Sequence, residues 1–392
     1  MKKILPLAPL LAAASLLSCQ GSGNVSTAQF RAAAPTLEML AVSQNDGDVA
    51  EAVASLDAPM PVNSLARPDC HPHLFVRTHE IIGRVNRHFF KLLHHVEELI
   101  EDTPIGDGET KTWENVRGGL DRKLTITRTL NPDGSNTFAF ELDLAKVPST
   151  TTTPTFVKVL FGSLTHVGPL AVDADAGTSA DAGGETLVED KGTATFDFDA
   201  LASVSPRERA RGQITDAFDN VKDPVNGIKR SATVTLTNFV PEEGDPHGPR
   251  SGSYSWLREP GIGGKFVFQD TLVLFCLRNP DHSQSDTTTV ARWFKATDGN
   301  VHGRSDAKAT GGQLPTGDVW MGVTCAKGPT STEPPEGFWM MKLEDSTGAT
   351  LSAQLSQVGT EPCDPVWGPV PKVTDNSTDY DFSAPVTFPG EW

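Results

Sequence analysis

The chain has 392 residues with 50 acidic and 33 basic side chains, giving a formal net charge of −17. That length suffices for one large β domain or two smaller ones. A field of this sign argues against a nucleic-acid partner and against charge-driven adsorption to anionic head groups.

The chain opens Met1-Lys2-Lys3, followed by an apolar run from Ile4 to Leu17 and then Ser18-Cys19. The run is shorter than the roughly 20 residues a stable helical span needs. A basic start, a short apolar run and a small residue before the processing point describe an export signal. The stretch resembles a bacterial lipoprotein signal with its lipobox. The resemblance implies a signal peptide over 1–18, cleavage before Cys19, diacylation of the Cys19 sulfur and acylation of the new amino terminus. Two or more acyl chains are enough for stable anchoring. By the sorting rule of that family, Gln20 in place of Asp points to the outer membrane, with the protein facing periplasm or cell surface.

Residues 19–69 predict a lipidated flexible tether. The segment begins Gly21-Ser22-Gly23-Asn24 and is rich in Ala, Ser and Asp, with little apolar surface to bury. Within it, Thr36 to Val42 predicts a helical turn or two. Helix 74–101 is the clearest element that follows. Ile81, Val85, Phe89, Leu92, Val96 and Leu99 keep three-and-four spacing, and Ile82, Leu93 and Ile100 widen the stripe. Glu97, Glu98 and Glu101 sit where the helix dipole favours cations, so the last turn is expected to fray.

The period then changes to two. Phe138, Phe140, Leu142 and Leu144 alternate with other residues, as do Val157, Val159 and Phe161, then Phe196 and Phe198, Val234 and Leu236, and Phe266 and Phe268. Such runs between Gly-, Pro- and Asp-containing segments indicate antiparallel sheet. Asp173 to Gly184 predicts a flexible loop. Ser205 to Val221 predicts a short inserted helix, with Ser205 as cap, Pro206 in the first turn, Glu208 completing a capping box, and Ile214 with Phe218 as its apolar contact. The expected fold is mainly β: an antiparallel sheet, as a sandwich or curved half-barrel, in a single domain over 70–392 with one long N-terminal helix and one short inserted helix.

Cys70, Cys276, Cys325 and Cys363 remain once Cys19 is lipidated. In an exported chain they predict two disulfides, with three connectivities open. The preferred pairing joins Cys276 to Cys325, each at the end of a strand-like run, and Cys70 to Cys363. A link between Cys325 and Cys363 is the alternative.

Six of the ten histidines lie between positions 71 and 95. His71 and His73, flanking Pro72, and His88 and His95, seven apart on one helix face, are candidate ligands for zinc or copper. The competing reading places the helical pair at the edge of the core, and it is preferred, so no metal or cofactor is assigned. His79-Glu80 begins like a zincin helix, but Gly83 stands where the second histidine must be. Asp173, Asp175 and Gly177 fail the calcium-loop pattern at Thr178 and Gly184. No Gly-x-Ser-x-Gly elbow, phosphate-binding loop or dinucleotide fingerprint is present. The seven tryptophans are expected mainly in the core. The chain is therefore expected to be an outer-membrane-anchored lipoprotein with a non-enzymatic binding or structural role, its partner an envelope protein or an apolar ligand and not a nucleic acid. An exported hydrolase with a non-local active site is the alternative.

Overall fold

The computed structural model describes residues 26–41, 74–147, 153–168, 187–223, 225, 227–241, 249–259, 263–273, 284–295, 301–311, 314–328 and 336–355. Four helices fall in these ranges: α1 (Thr27–Ala32), α2 (Leu37–Leu40), α3 (Leu74–Ile100) and α4 (Phe198–Val204). The strands are β1 (Thr110–Arg117), β2 (Leu120–Leu130), β3 (Asn136–Lys146), β4 (Val157–Val167), β5 (Val188–Asp197), β6 (Arg211–Asp223) and β7 (Gly227–Val240). They continue as β8 (Arg250–Glu259), β9 (Gly263–Val273), β10 (Gln284–Lys295), β11 (Val301–Thr310), β12 (Val319–Gly328), β13 (Glu336–Glu344) and β14 (Thr350–Leu355).

All fourteen form one sheet in sequence order, each strand antiparallel to the next. Connections therefore alternate between two ends of the sheet. The β2–β3, β4–β5 and β6–β7 connections lie at one end, called here the first rim. The β1–β2, β3–β4 and β5–β6 connections lie at the other, the far rim. The β1–β2 link is the two-residue Gly118-Gly119, with φ of 62° and 81°. Positive φ at both positions is the geometry a tight hairpin between twisted strands requires.

The alternation in sequence becomes two faces. Phe138, Phe140, Leu142 and Leu144 of β3 are buried, while Ala139 and Glu141 between them are exposed. The outward face carries threonine pairs between neighbouring strands. Their hydroxyl oxygens stand 3.4 Å apart in Thr112–Thr125, 3.0 Å in Thr137–Thr165 and 3.1 Å in Thr195–Thr215. Each such pair adds roughly 0.2–1 kcal/mol relative to an alanine pair.

Helix α3 ends at Ile100, one residue short of the expected limit. Its predicted stripe is the buried one: Phe89, Leu92, Leu93, Val96 and Leu99 are fully inaccessible. The Phe89 ring stacks on Phe196 of β5 at 4.6 Å. The helix touches β1 and β2 near one end of the strand order and β10, β11 and β12 toward the other. Its last turn does not rest on the dipole alone, because Glu98 is held by two arginines, Arg117 and Arg122.

Two expectations are corrected. The tether expected over 19–69 does not describe residues 26–41, which form α1 and α2 and belong to the core. Phe30, Ala34, Leu37 and Leu40 are at most 3 % exposed. Phe30 meets Phe138 edge-on at 5.8 Å, and the Asn220 side chain donates to the Met39 carbonyl at 3.1 Å. Ser26 and Thr36 cap the two helices by accepting from Gln29 and Met39. The average composition of the segment hid these few apolar residues.

The inserted helix lies before Ser205, not after it. β5 stops at Asp197, whose side chain accepts from the Ala200 amide and so starts α4 at Phe198. Residues 211–223 are strand β6, with Ile214, Asp216, Phe218 and Asn220 all facing inward. The four-residue spacing of Ile214 and Phe218 is equally two steps of a period-two strand, and strand pairing on both sides decided it. Glu208, expected in a capping box, instead takes an ion pair from Lys91 of α3 at 3.3 Å and a hydrogen bond from the Ala210 amide at 2.8 Å.

Candidate functional site

Alternation places residue 122 on the inner face, two before Leu124 and four before Ile126. The residue there is Arg122, only 1 % exposed. An arginine so deeply buried needs several acceptors. Its Nε donates to Asn115 Oδ1 at 2.8 Å, and its Nη1 donates to Glu98 Oε2 at 2.5 Å. The same Nη1 lies 3.2 Å from His95 Nδ1. Arginine only donates, so Nδ1 accepts and the imidazole proton sits on Nε2. The other Glu98 oxygen meets Arg117 at 2.7 Å and His94 Nε2 at 3.2 Å. Asn115 Nδ2 donates to Asp102 Oδ2 at 2.7 Å. The cluster thus links the final turn of α3 to the β1–β2 hairpin.

Two ionisation states follow. Hydrogen bonding from Arg122 lowers the Glu98 pKa and keeps it a carboxylate. Burial, helped by the Arg122 charge, lowers the His95 pKa and keeps the ring neutral near pH 7. A neutral imidazole that accepts from a fixed guanidinium is a positioning element of the cluster.

A second polar set lines the first rim on the inner face. Asn136, His166, Asp190 and Asn220 are register partners on consecutive strands β3 to β6. The row continues through Arg230 and Arg258. His166 Nδ1 and Asp190 Oδ1 are 2.7 Å apart, and Arg128 Nε donates to Asn136 Oδ1 at 2.7 Å. One row deeper, the inner positions turn apolar with Phe138, Leu164, Gly192, Phe218, Ala232 and Trp256.

Asp216 breaks that apolar interior. It is fully buried on β6, between Ala194 and Val234 in register, and neither carboxyl oxygen has a hydrogen-bond partner among the described residues. Burial raises its pKa well above the ordinary aspartate range, so the protonated form is favoured.

The sequence-predicted candidates separate in the structure. His88 is buried with its ring edge-on to Phe239 at 5.0 Å and to Phe198 at 5.5 Å. His95 belongs to the Arg122 cluster, so the two do not converge on one ion. His71 and His73 lie outside the described residues, as do Cys19, Cys70, Cys276 and Cys363. Among the described residues no group of three His, Cys, Asp or Glu is placed to hold a metal. Cys325 lies on β12, opposite Arg304 of β11 and Phe338 of β13. The strand run before Cys276 is β9, which two intervening strands separate from β12, so the adjacency behind the preferred pairing is not found. The sequence reading missed Arg122 and Asp216. Their signal was an ionisable residue on the apolar phase of a period-two run.

No protein-family model matches the chain, no curated protein matches it, and no solved structure matches it.

Proposed function

We propose that this chain is a lipid-anchored protein of the bacterial outer membrane, facing periplasm or cell surface, with a non-enzymatic structural or binding role. Its sheet is read as a curved half-barrel closed over the chain's own helices. One observation carries the structural role: the inner face is filled from within. Phe89, Leu92 and Val96 of α3 and Phe30 and Leu37 from α1 and α2 are buried there, between 0 and 3 % exposed. A face covered there by the chain's own side chains favours recognition by the outer face and rims over enclosure of an apolar ligand. Anchoring rests on Lys2, Lys3, the apolar run and Cys19. Among the described residues no helix is long and apolar enough to cross a membrane.

The test is acylation. In a bacterial host, Cys19→Ala is expected to abolish incorporation of labelled palmitate and to release the chain from the membrane fraction. Unchanged labelling would refute the reading.

A further inference from the structure

We propose that His95, Arg122 and Glu98 form an acid-sensitive latch: a proton on His95 breaks its bond with Arg122, sets it competing for Glu98, and loosens the β1–β2 hairpin from the last turn of α3. The latch belongs to the fold and is independent of how the chain is anchored.

Its centre is one guanidinium nitrogen shared by two acceptors. Arg122 Nη1 donates to Glu98 Oε2 at 2.5 Å and to His95 Nδ1 at 3.2 Å. The carboxylate keeps its charge on acidification, because the bond from Arg122 lowers its pKa. The imidazole accepts only while Nδ1 keeps its lone pair. Once that nitrogen is protonated, two donors of like charge face each other, and arginine has no acceptor to offer and no proton to give up.

The groups around His95 set when this happens. Arg122 of β2 and Arg117 of β1 oppose its charge, as does His94 on the same helix, whose ring centroid is 6.5 Å away. Glu98 alone favours it. Burial opposes it most, so His95 takes its proton only below the ordinary histidine range. An open hairpin releases the ring from burial and from Arg122. Opening is therefore increasingly favoured as pH falls from the ordinary histidine range toward the lowered folded value.

Protonated Nδ1 then has one favourable partner in the cluster, Glu98, and both of its oxygens are engaged. Arg117 and His94 hold Oε1, and Arg122 holds Oε2. Arg122 is the group that loses. Its Nη2 has no hydrogen-bond partner among the described residues, and its Nε donates to Asn115 at 2.8 Å, across the same hairpin. Without Nη1 bonded to α3, the polar ties left between helix and hairpin are Asn115 to Asp102 and Arg117 to Glu98. Arg117 is 65 % exposed, so its pair is solvent-screened and weak. His94 behaves oppositely: a proton on this half-exposed ring strengthens its 3.2 Å contact with Glu98. The two neighbouring histidines thus respond to acid with opposite sign, and the buried one governs the latch.

The test is hydrogen–deuterium exchange of the full chain at about pH 7.5 and pH 5.5, with labelling times scaled to the intrinsic exchange rate. Protection of the β1–β2 hairpin is expected to fall severalfold at the lower pH while that of β6 and β7 is unchanged. His95→Asn places an amide oxygen where Nδ1 stands and does not titrate, so its hairpin protection is expected to be equal at the two pH values. His94→Asn is expected to keep the wild-type fall. A wild-type hairpin equally protected at both pH values, a fall shared by β6 and β7, a fall that persists in His95→Asn, or one abolished by His94→Asn each overturns the latch. Histidine-labelled NMR of the wild-type chain gives a readout that needs no folded variant at low pH, the His95 signal being assigned by its absence from His95→Asn at pH 7.5. A neutral ring with its proton on Nε2 at pH 7.5, becoming charged over the pH range in which hairpin protection is lost, is expected. A ring already charged at pH 7.5, or still neutral where protection has been lost, overturns it.

Discussion

The Phe218 ring lies across Gly192, its register partner on the neighbouring strand, with Cζ 2.9 Å from where a Cβ on that glycine would stand. Phe140 covers Gly162 in the same way on β3 and β4, also at 2.9 Å. At both glycines the neighbouring strand's backbone comes closer still: the Ser163 carbonyl oxygen is 2.0 Å from the Gly192 position, and that of Thr193 is 1.9 Å from Gly162. The two glycines let β4 and β5 crowd and coil, and the aromatic rings cover the backbone they expose.

Gly192→Ala is therefore expected to destabilise the domain by about 3 kcal/mol, since the obstruction is backbone and not a flexible side chain. Urea unfolding monitored by circular dichroism reads the change. A variant with an unchanged midpoint means that β4 and β5 are not held as described.

Arg122→Leu tests the buried cluster. It removes the shortest bond to Glu98 and strands a carboxylate that is only 15 % exposed, with Arg117 and His94 left to hold it. Breaking a buried ion pair from one side costs about 3 kcal/mol. The sign with pH is fixed by the lowered Glu98 pKa. Its contribution is present above the ordinary glutamate range and disappears as pH falls through the lowered folded value. Wild type should lose more stability than the variant on acidification across that window. Parallel losses would mean that Arg122 does not hold Glu98 ionised.

Much of this was legible beforehand, for identifiable reasons. The α3 stripe was readable because about five turns, from Ile81 to Leu99, repeat one apolar phase. β3 was readable because four apolar residues alternate without a break from Phe138 to Leu144. Within residues 26–41 the turn at Leu37–Leu40 was readable, but the place of both short helices in the core was not, because they hold too few apolar residues to set a period and only the sheet gives them something to bury against. The β5–α4 boundary was missed because Phe196 and Phe198 continue the strand phase, while the Asp197 cap ends the strand between them. The Arg122 cluster joins positions more than 20 residues apart, which no local spacing encodes.

The cysteine pairing follows from the register. Cys325 shares a row with Arg304, Arg292 and Lys265, so the β9 residue level with it is Lys265. Val273, at the end of β9, lies eight residues further along, about 26 Å by strand rise, and three strand spacings away, about 14 Å. Cys276 follows Val273 by three residues, a reach of at most ~11 Å. The remaining gap far exceeds the ~7 Å that a disulfide's Cα atoms tolerate. Peptide mapping without reduction is expected to recover two disulfides, none of them joining Cys276 to Cys325. Recovery of that peptide pair from monomeric protein would contradict the strand order.

Asp216 gives the last expectation, and its sign opposes that of Glu98. A carboxyl with a raised folded pKa keeps its proton while the unfolded chain releases one. Folded and unfolded states are then equally protonated only below the ordinary aspartate range. As pH climbs above it, the folded state is progressively penalised, until pH reaches the raised folded value and the penalty levels off. Asp216→Val keeps a β-branched residue between Ala194 and Val234 and removes both unpartnered oxygens. It is expected to raise stability at pH 7 by about 2 kcal/mol, within the range for relieving an unpaired buried polar group. The gain should shrink toward pH 4, as the unfolded chain's carboxyl begins to take up its proton as well. Asp216→Asn should remove the pH dependence without the full gain, because the amide is still buried without partners. Chemical unfolding of the three chains across pH 4 to 8 separates these outcomes. If Asp216→Val destabilises the domain at every pH, the carboxyl is bonded within the fold and its burial is functional packing rather than an uncompensated cost.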